Sequence, residues 1–184
     1  AHFALSLGAP GYRDEAVHAA QVYAMVMGGG MSSRLFQKIR EERGLCYSIF
    51  AQSAAYEDTG SITIYAGTSA EEVAALSDLT VAELRRSADD MTEVEVARAR
   101  AQIKAGLLMG LESPSSRAER LARLLSIWGR VPGVDEAVAR IEAVDVAAVR
   151  AYAAGLAAGG AALALYGPVE AAPTLDAVRA GLAA

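Results

Sequence analysis

The sequence predicts an α+β fold: an antiparallel-rich sheet of about four to five strands with helices packed on one face. Three observations lead there. A β-branched and aromatic pair of runs, 46–55 and 61–66, flanks the turn residues Glu57-Asp58-Thr59-Gly60, the pattern of a hairpin. Strand-like runs open the chain at 2–7 and return at 161–166. The segments between are alanine-rich with helical spacing of apolar residues, and their order lacks the strict strand–helix alternation of a doubly wound parallel sheet.

Each element has a local cause. The run 2–7 alternates apolar side chains and is closed by Pro10-Gly11, which punctuate a strand. Asp14 can then cap a helix whose apolar face comprises Ala16, Ala19, Ala20, Tyr23, Met25 and Val26, ending at Gly28-Gly29-Gly30. A charged helix follows over 33–43, opened by Ser32 or Ser33, buried through Leu35, Phe36 and Ile39, and stopped by Gly44 just past its C-terminus. In the hairpin, Ile62, Ile64 and Ala66 alternate with Ser61, Thr63 and Tyr65, and Cys46 belongs to a strand. Ser69 with Glu72, and Thr92 with Glu95, fit the reciprocal capping box and start separate helices. Ser113-Pro114 opens a third, because proline at a first helical position loses no hydrogen bond. Helices over 134–144 and 146–157 precede the final strand.

No repeat, linker or heptad array interrupts the 184 residues, so 1–184 is expected to be a single domain. At 53% hydrophobic and 21% charged the chain is too apolar for disorder. One cysteine excludes an internal disulfide framework and any cysteine-rich zinc module. A net charge of -5 has the wrong sign for binding phosphate backbones, so nucleic acid is not an expected partner. The longest uncharged stretch, 151–169, is broken by Gly159-Gly160 and Pro168, so no membrane span is expected. The chain opens at Ala1 in a strand-like run without an initiator methionine or a signal peptide, as a piece excised from a longer protein would; the cytoplasm is then the default compartment.

Chemistry is sparse. The only histidines, His2 and His18, lie in different elements, and neither inverted nor forward zinc-peptidase motif occurs, so no metal site is expected in this chain. Glu15 and His18 share a helical face as a surface pair. Cys46 has no histidine near it in sequence, no Gly-x-Ser-x-Gly elbow is present, and the triple glycine follows a helix rather than a strand, unlike a nucleotide loop. From the residues alone, Arg40 among Lys38, Glu41, Glu42 and Arg43 reads as a solvated helix face, and Tyr47 as a half-buried strand aromatic.

The stretch GGGMSSRLFQKIREERGLCYS, from Gly28 through Ser48, closely resembles the C-terminal-half signature of pitrilysin-type zinc metallopeptidases, above all their mitochondrial processing peptidase branch. The opening strand, the helix after it and the later helix-rich stretch also fit, so the resemblance covers essentially the whole chain. It implies one half of a clamshell whose inverted zinc motif sits in an N-terminal half outside this sequence. It also implies that an arginine and a tyrosine seven positions later reach substrate beside the metal, and these match Arg40 and Tyr47. Tyr47 would donate to the oxyanion of the tetrahedral intermediate, and Arg40 would hold a neighbouring substrate carbonyl. Gly28, Gly29 and Gly30 would give a substrate-contacting, mobile loop, whereas Arg34 reads as structural. Zinc is thus implied for the full-length parent and none for this chain alone. The implied partners are a peptide substrate, the N-terminal zinc-binding half, and a second copy or a related chain. Two alternatives stand beside this reading: a non-catalytic partner or structural subunit of the same family, and a stand-alone α+β interaction module.

Overall fold

A computed structural model describes all of residues 1–184. The elements run β1 (His2–Ala9), α1 (Val17–Gly28), a π-helix (Phe36–Glu41), β2 (Cys46–Ala55), β3 (Gly60–Thr68), α2 (Val73–Asp90), α3 (Glu93–Gly110), α4 (Pro114–Trp128), α5 (Val134–Glu142), α6 (Val146–Gly155), a 3-10 turn (Leu156–Ala158), β4 (Ala161–Tyr166) and α7 (Leu175–Ala183). The four strands form one antiparallel sheet in the order β2-β3-β1-β4. This is the expected α+β architecture, with four strands.

The pleat decides which face is covered. Phe3, Leu5 and Leu7 of β1 and Ile62, Ile64 and Ala66 of β3 all point to one side and are essentially inaccessible, each of the larger ones contributing about 1.5–3 kcal/mol by leaving water. The other face keeps Ser6, Thr63, Tyr65 and Phe50 half-buried or exposed, with Ser6 and Thr63 hydrogen-bonded across the strands at 3.1 Å. Against the covered side lies α1, nine of whose twelve residues are buried; the other three, His18, Gln21 and Met25, form one narrow half-buried face at i, i+3 and i+7. Its Tyr23 hydroxyl shares a hydrogen bond with Ser87 of α2 at 3.0 Å, and burial pushes its pKa upward. No helix is long and apolar enough to cross a membrane.

Several boundaries move for identifiable reasons. The Thr92 box closes in both directions, starting α3 where expected. Ser69 accepts from Glu72 N–H at 3.2 Å, but α2 begins only at Val73, so Ser69 shapes the turn before the helix. Asp14 likewise accepts from Ala16 N–H at 2.8 Å ahead of α1 rather than capping its first turn. The charged helix expected over 33–43 is a π-helix through most of its length. Helix α7 goes unpredicted; Thr174 accepting from Ala177 N–H at 3.2 Å starts it, and Val178 and Leu182, four apart, are its buried pair.

The end of α1 shows why a glycine is needed there. A Cβ on Gly28 would sit 2.1 Å from Ala51 N of β2, whereas one on Gly30 would meet nothing nearer than Gln102 Nε2 at 3.7 Å. Gly28→Ala should therefore lower unfolding free energy by about 1–3 kcal/mol, by forcing α1 off β2. Gly30→Ala should stay within about 0.5 kcal/mol of the parent. Urea melts of the two variants check both; equal melts would contradict the close approach.

Candidate functional site

The chain turns from the π-helix into β2 through one corner. Glu42 N–H reaches back five residues to Gln37 O at 2.9 Å, widening the helix. Gly44, at φ +67°, reverses the chain, its N–H bonded to Arg40 O and the next N–H, of Leu45, to Ile39 O, both at 3.1 Å. A side chain at that φ would be strained, which accounts for glycine. In β2, Cys46 pairs with Thr68 and Ser48 with Gly67, so Tyr47 is the extra residue of a β-bulge. Bulges re-aim a side chain, and here Tyr47 is left 87% exposed between the buried Cys46 and the half-buried Ser48.

Arg40 and Tyr47 do come together, through the backbone. Arg40 Nε donates to Tyr47 O at 2.8 Å, its Nη1 donates to Glu41 Oε1 at 3.0 Å, and its Cζ lies 4.5 Å from the centroid of the Phe36 ring. Nη2 is left with donors to spare, since a guanidinium carries five. Tyr47 lines a broad groove of about 540 Å³ shared with His2, Gly44, Ser48, Tyr65 and Glu72. His2 Nδ1 and Tyr65 OH are hydrogen-bonded in it at 2.7 Å. Arg40 does not line that groove and is joined to it by the Tyr47 carbonyl. His2, Tyr65 and Glu72 carry no sequence signal for a site; His2 and Tyr65 are brought together because β1 pairs with β3 in a register that sets His2 opposite Gly67.

The π-helix is moored from behind by Arg34, whose side chain is 10% exposed. It donates to Glu95 through Nε at 2.6 Å and Nη2 at 2.9 Å, to the Asp90 carboxylate through Nη1, and to Asp90 O at 3.1 Å. Glu95 is at the same time the acceptor of the Thr92 capping box. Burial pushes the Glu95 and Asp90 carboxyls up, but Arg34 together with Thr92 or Arg86 outweighs it and holds both below the usual carboxylate range. Desolvation lowers the Arg34 pKa, and the two carboxylates more than reverse that.

Of the glycine loop, Gly28 is buried under β2, while Gly29 is exposed and Gly30 half-buried beside Met31, itself 75% exposed. His18 bonds Gln21 at 3.1 Å rather than Glu15. Cys46 is buried, and desolvation raises its thiol pKa, which suits packing and not nucleophilic attack. No three His, Cys, Asp or Glu side chains cluster to hold a metal ion, and His2 and His18 lie on β1 and α1. The residues present do not fit a zinc site.

Residues 1–103 match the family described as "Peptidase M16 inactive domain". The chain is 36% identical over 171 residues to the uncharacterized zinc protease YmxG of Bacillus subtilis, covering 91% of this chain and 41% of that protein. It is 37% identical over 153 residues to the uncharacterized zinc protease Rv2782c of Mycobacterium tuberculosis, covering 83% and 35%. It thus spans about two fifths of the length of these relatives. Among solved structures, a chain of complex III2 from Candida albicans superposes with a TM-score of 0.89 at 21% identity, over 98% of this chain and 46% of that one. A protease from Helicobacter pylori superposes at 0.74 with 22% identity, over 83% and 37%. These two likenesses concern the fold.

The Arg34 mooring has a pH signature. Carboxyls depressed by folding stabilise the native state above their unfolded pKa, about 4, and that contribution is lost as pH falls through the lower folded values. Arg34→Met should cost about 1.5–3 kcal/mol at pH 7 and flatten the acid side of the stability curve below about pH 5. Urea unfolding midpoints across that range test it; an unchanged acid slope would assign the stabilisation elsewhere.

Proposed function

The chain belongs to the peptidase M16 family as its C-terminal domain, and from that membership we propose that it is the substrate-enclosing half of a zinc-dependent endopeptidase, lending Arg40 and Tyr47 to an active site whose metal is held by another segment. The observation that carries the reading is the bulge: it turns a strand aromatic outward into a groove and places its carbonyl on the arginine the family motif singles out. The relatives' naming as zinc proteases supports zinc for the parent. The zinc-binding half comes from the same parent polypeptide or from a related chain.

The residues' own chemistry suits these roles. A phenol O–H at Tyr47 donates to the scissile carbonyl oxygen as it gains negative charge, a contribution of about 2.7–4 kcal/mol for a well-placed donor. Arg40 stays charged and, with Nε fixed on Tyr47 O, offers Nη2 to a neighbouring peptide carbonyl, setting the register of an extended substrate. Gly29, Gly30 and Met31 form the outward part of the loop leading into the π-helix and supply a further substrate-contacting surface.

A second reading, a non-catalytic partner domain, is equally compatible with the family description "inactive domain". One experiment separates them. When the zinc-binding half is supplied, Tyr47→Phe should lower kcat for peptide cleavage by about 10²–10³. Arg40→Ala should act mainly through KM, and zinc content should stay unchanged in both variants. Undiminished turnover in both would remove the catalytic reading and leave the partner role.

A further inference from the structure

A cavity at the far end of β2 from Tyr47 takes no part in the corner described above. It encloses about 470 Å³ between the start of α1, residues 53–56 and the C-terminal half of α4, within the range of about 300–1,000 Å³ typical of small-molecule sites. Helix α4 buries none of its residues and is tied down there by Arg13 Nη2 donating to Ile127 O at 2.7 Å. The helix thus spans a hollow instead of filling it.

The lining has two characters. Tyr12, Tyr56 and Trp128 supply aromatic surface, with Leu124 and Ile127 beside them. Arg120, Arg123 and Arg140 supply positive charge, and no Asp or Glu lines the cavity, although the chain as a whole carries a net charge of -5. Arg140 is held by Glu136 at 2.6 Å and stands 5.5 Å from the Trp128 ring centroid. Arg120 and Arg123 make no ion pair. Two uncommitted guanidiniums three residues apart on one helical face match a carboxylate in charge and fork geometry.

We propose that this cavity binds a small amphipathic carboxylate, its apolar body among Tyr12, Tyr56 and Trp128 and its carboxylate on Arg120 and Arg123. The cavity and the Tyr47 groove share no lining residue, so this site stands apart from the peptidase reading. A free organic acid and the C-terminal residue of a peptide both present this chemistry.

Trp128 is the chain's only tryptophan and lines the cavity, so its emission reports occupancy. The 184-residue chain is titrated with 4-phenylbutyrate, its neutral amide, and N-acetyl-leucyl-phenylalanine. Saturable change is expected with the acids, and affinity at least about tenfold weaker for the amide and for the Arg120→Ala/Arg123→Ala variant, the scale of one lost charged hydrogen bond. The tighter of the two acids identifies the source of the ligand. Circular dichroism checks the fold of the double variant, and Arg123→Gln, at an exposed position, serves if that variant unfolds. No saturable response to either acid, an amide that binds as well as its acid, or variants with undiminished affinity would overturn the proposal.

Discussion

Arg34 donates to two carboxylates that lie on either side of the short break between α2 and α3, and through them it fixes the segment that carries the whole candidate corner. Asp90 ends α2 and Glu95 sits in the first turn of α3, where it also completes the Thr92 cap. One guanidinium thus ties three elements. Its charge is almost out of water, and removing it would leave the shielded Glu95 carboxylate without its cation, whereas the more exposed Asp90 keeps Arg86. The π-helix that begins two residues later inherits its position from this cluster and hands it on to Gly44 and Tyr47.

Much of the fold is legible because its signals are short-range. The alternation of Ile62, Ile64 and Ala66 with polar neighbours fixes both the strand and its inward face, and β4 begins and ends where its composition does. Thr92 and Glu95 declare the start of α3 because cap and partner lie three residues apart. The π-helix is opaque for the opposite reason: Leu35, Phe36 and Ile39 satisfy an α-helical stripe equally well, and only the five-residue reach from Glu42 to Gln37 distinguishes the two. Helix α7 escapes because it is only nine residues long and its Thr174 cap has Ala177, not an acidic partner, three residues on.

The site divides the same way. Arg40 and Tyr47 are visible as a motif, since residue types and spacing lie within one local stretch. That their meeting runs through a backbone carbonyl is not, because it rests on β2 skipping one partner against β3. Gly28 carries one signature and serves a different end. Within the motif it suggests a loop, while in space it is where a helix end touches a strand. His2 and Tyr65, 63 positions apart, join the groove only through strand pairing.

Strand β2 also forms one border of the sheet, with β3 on one side and no strand on the other. Such borders invite foreign chains to add on, a route to aggregation. Here the irregularity at Tyr47 interrupts the ladder, and Arg40 already occupies a main-chain acceptor there. The kink that presents the phenol therefore also shortens the regular edge open to an invading strand, which is left to residues 48–55.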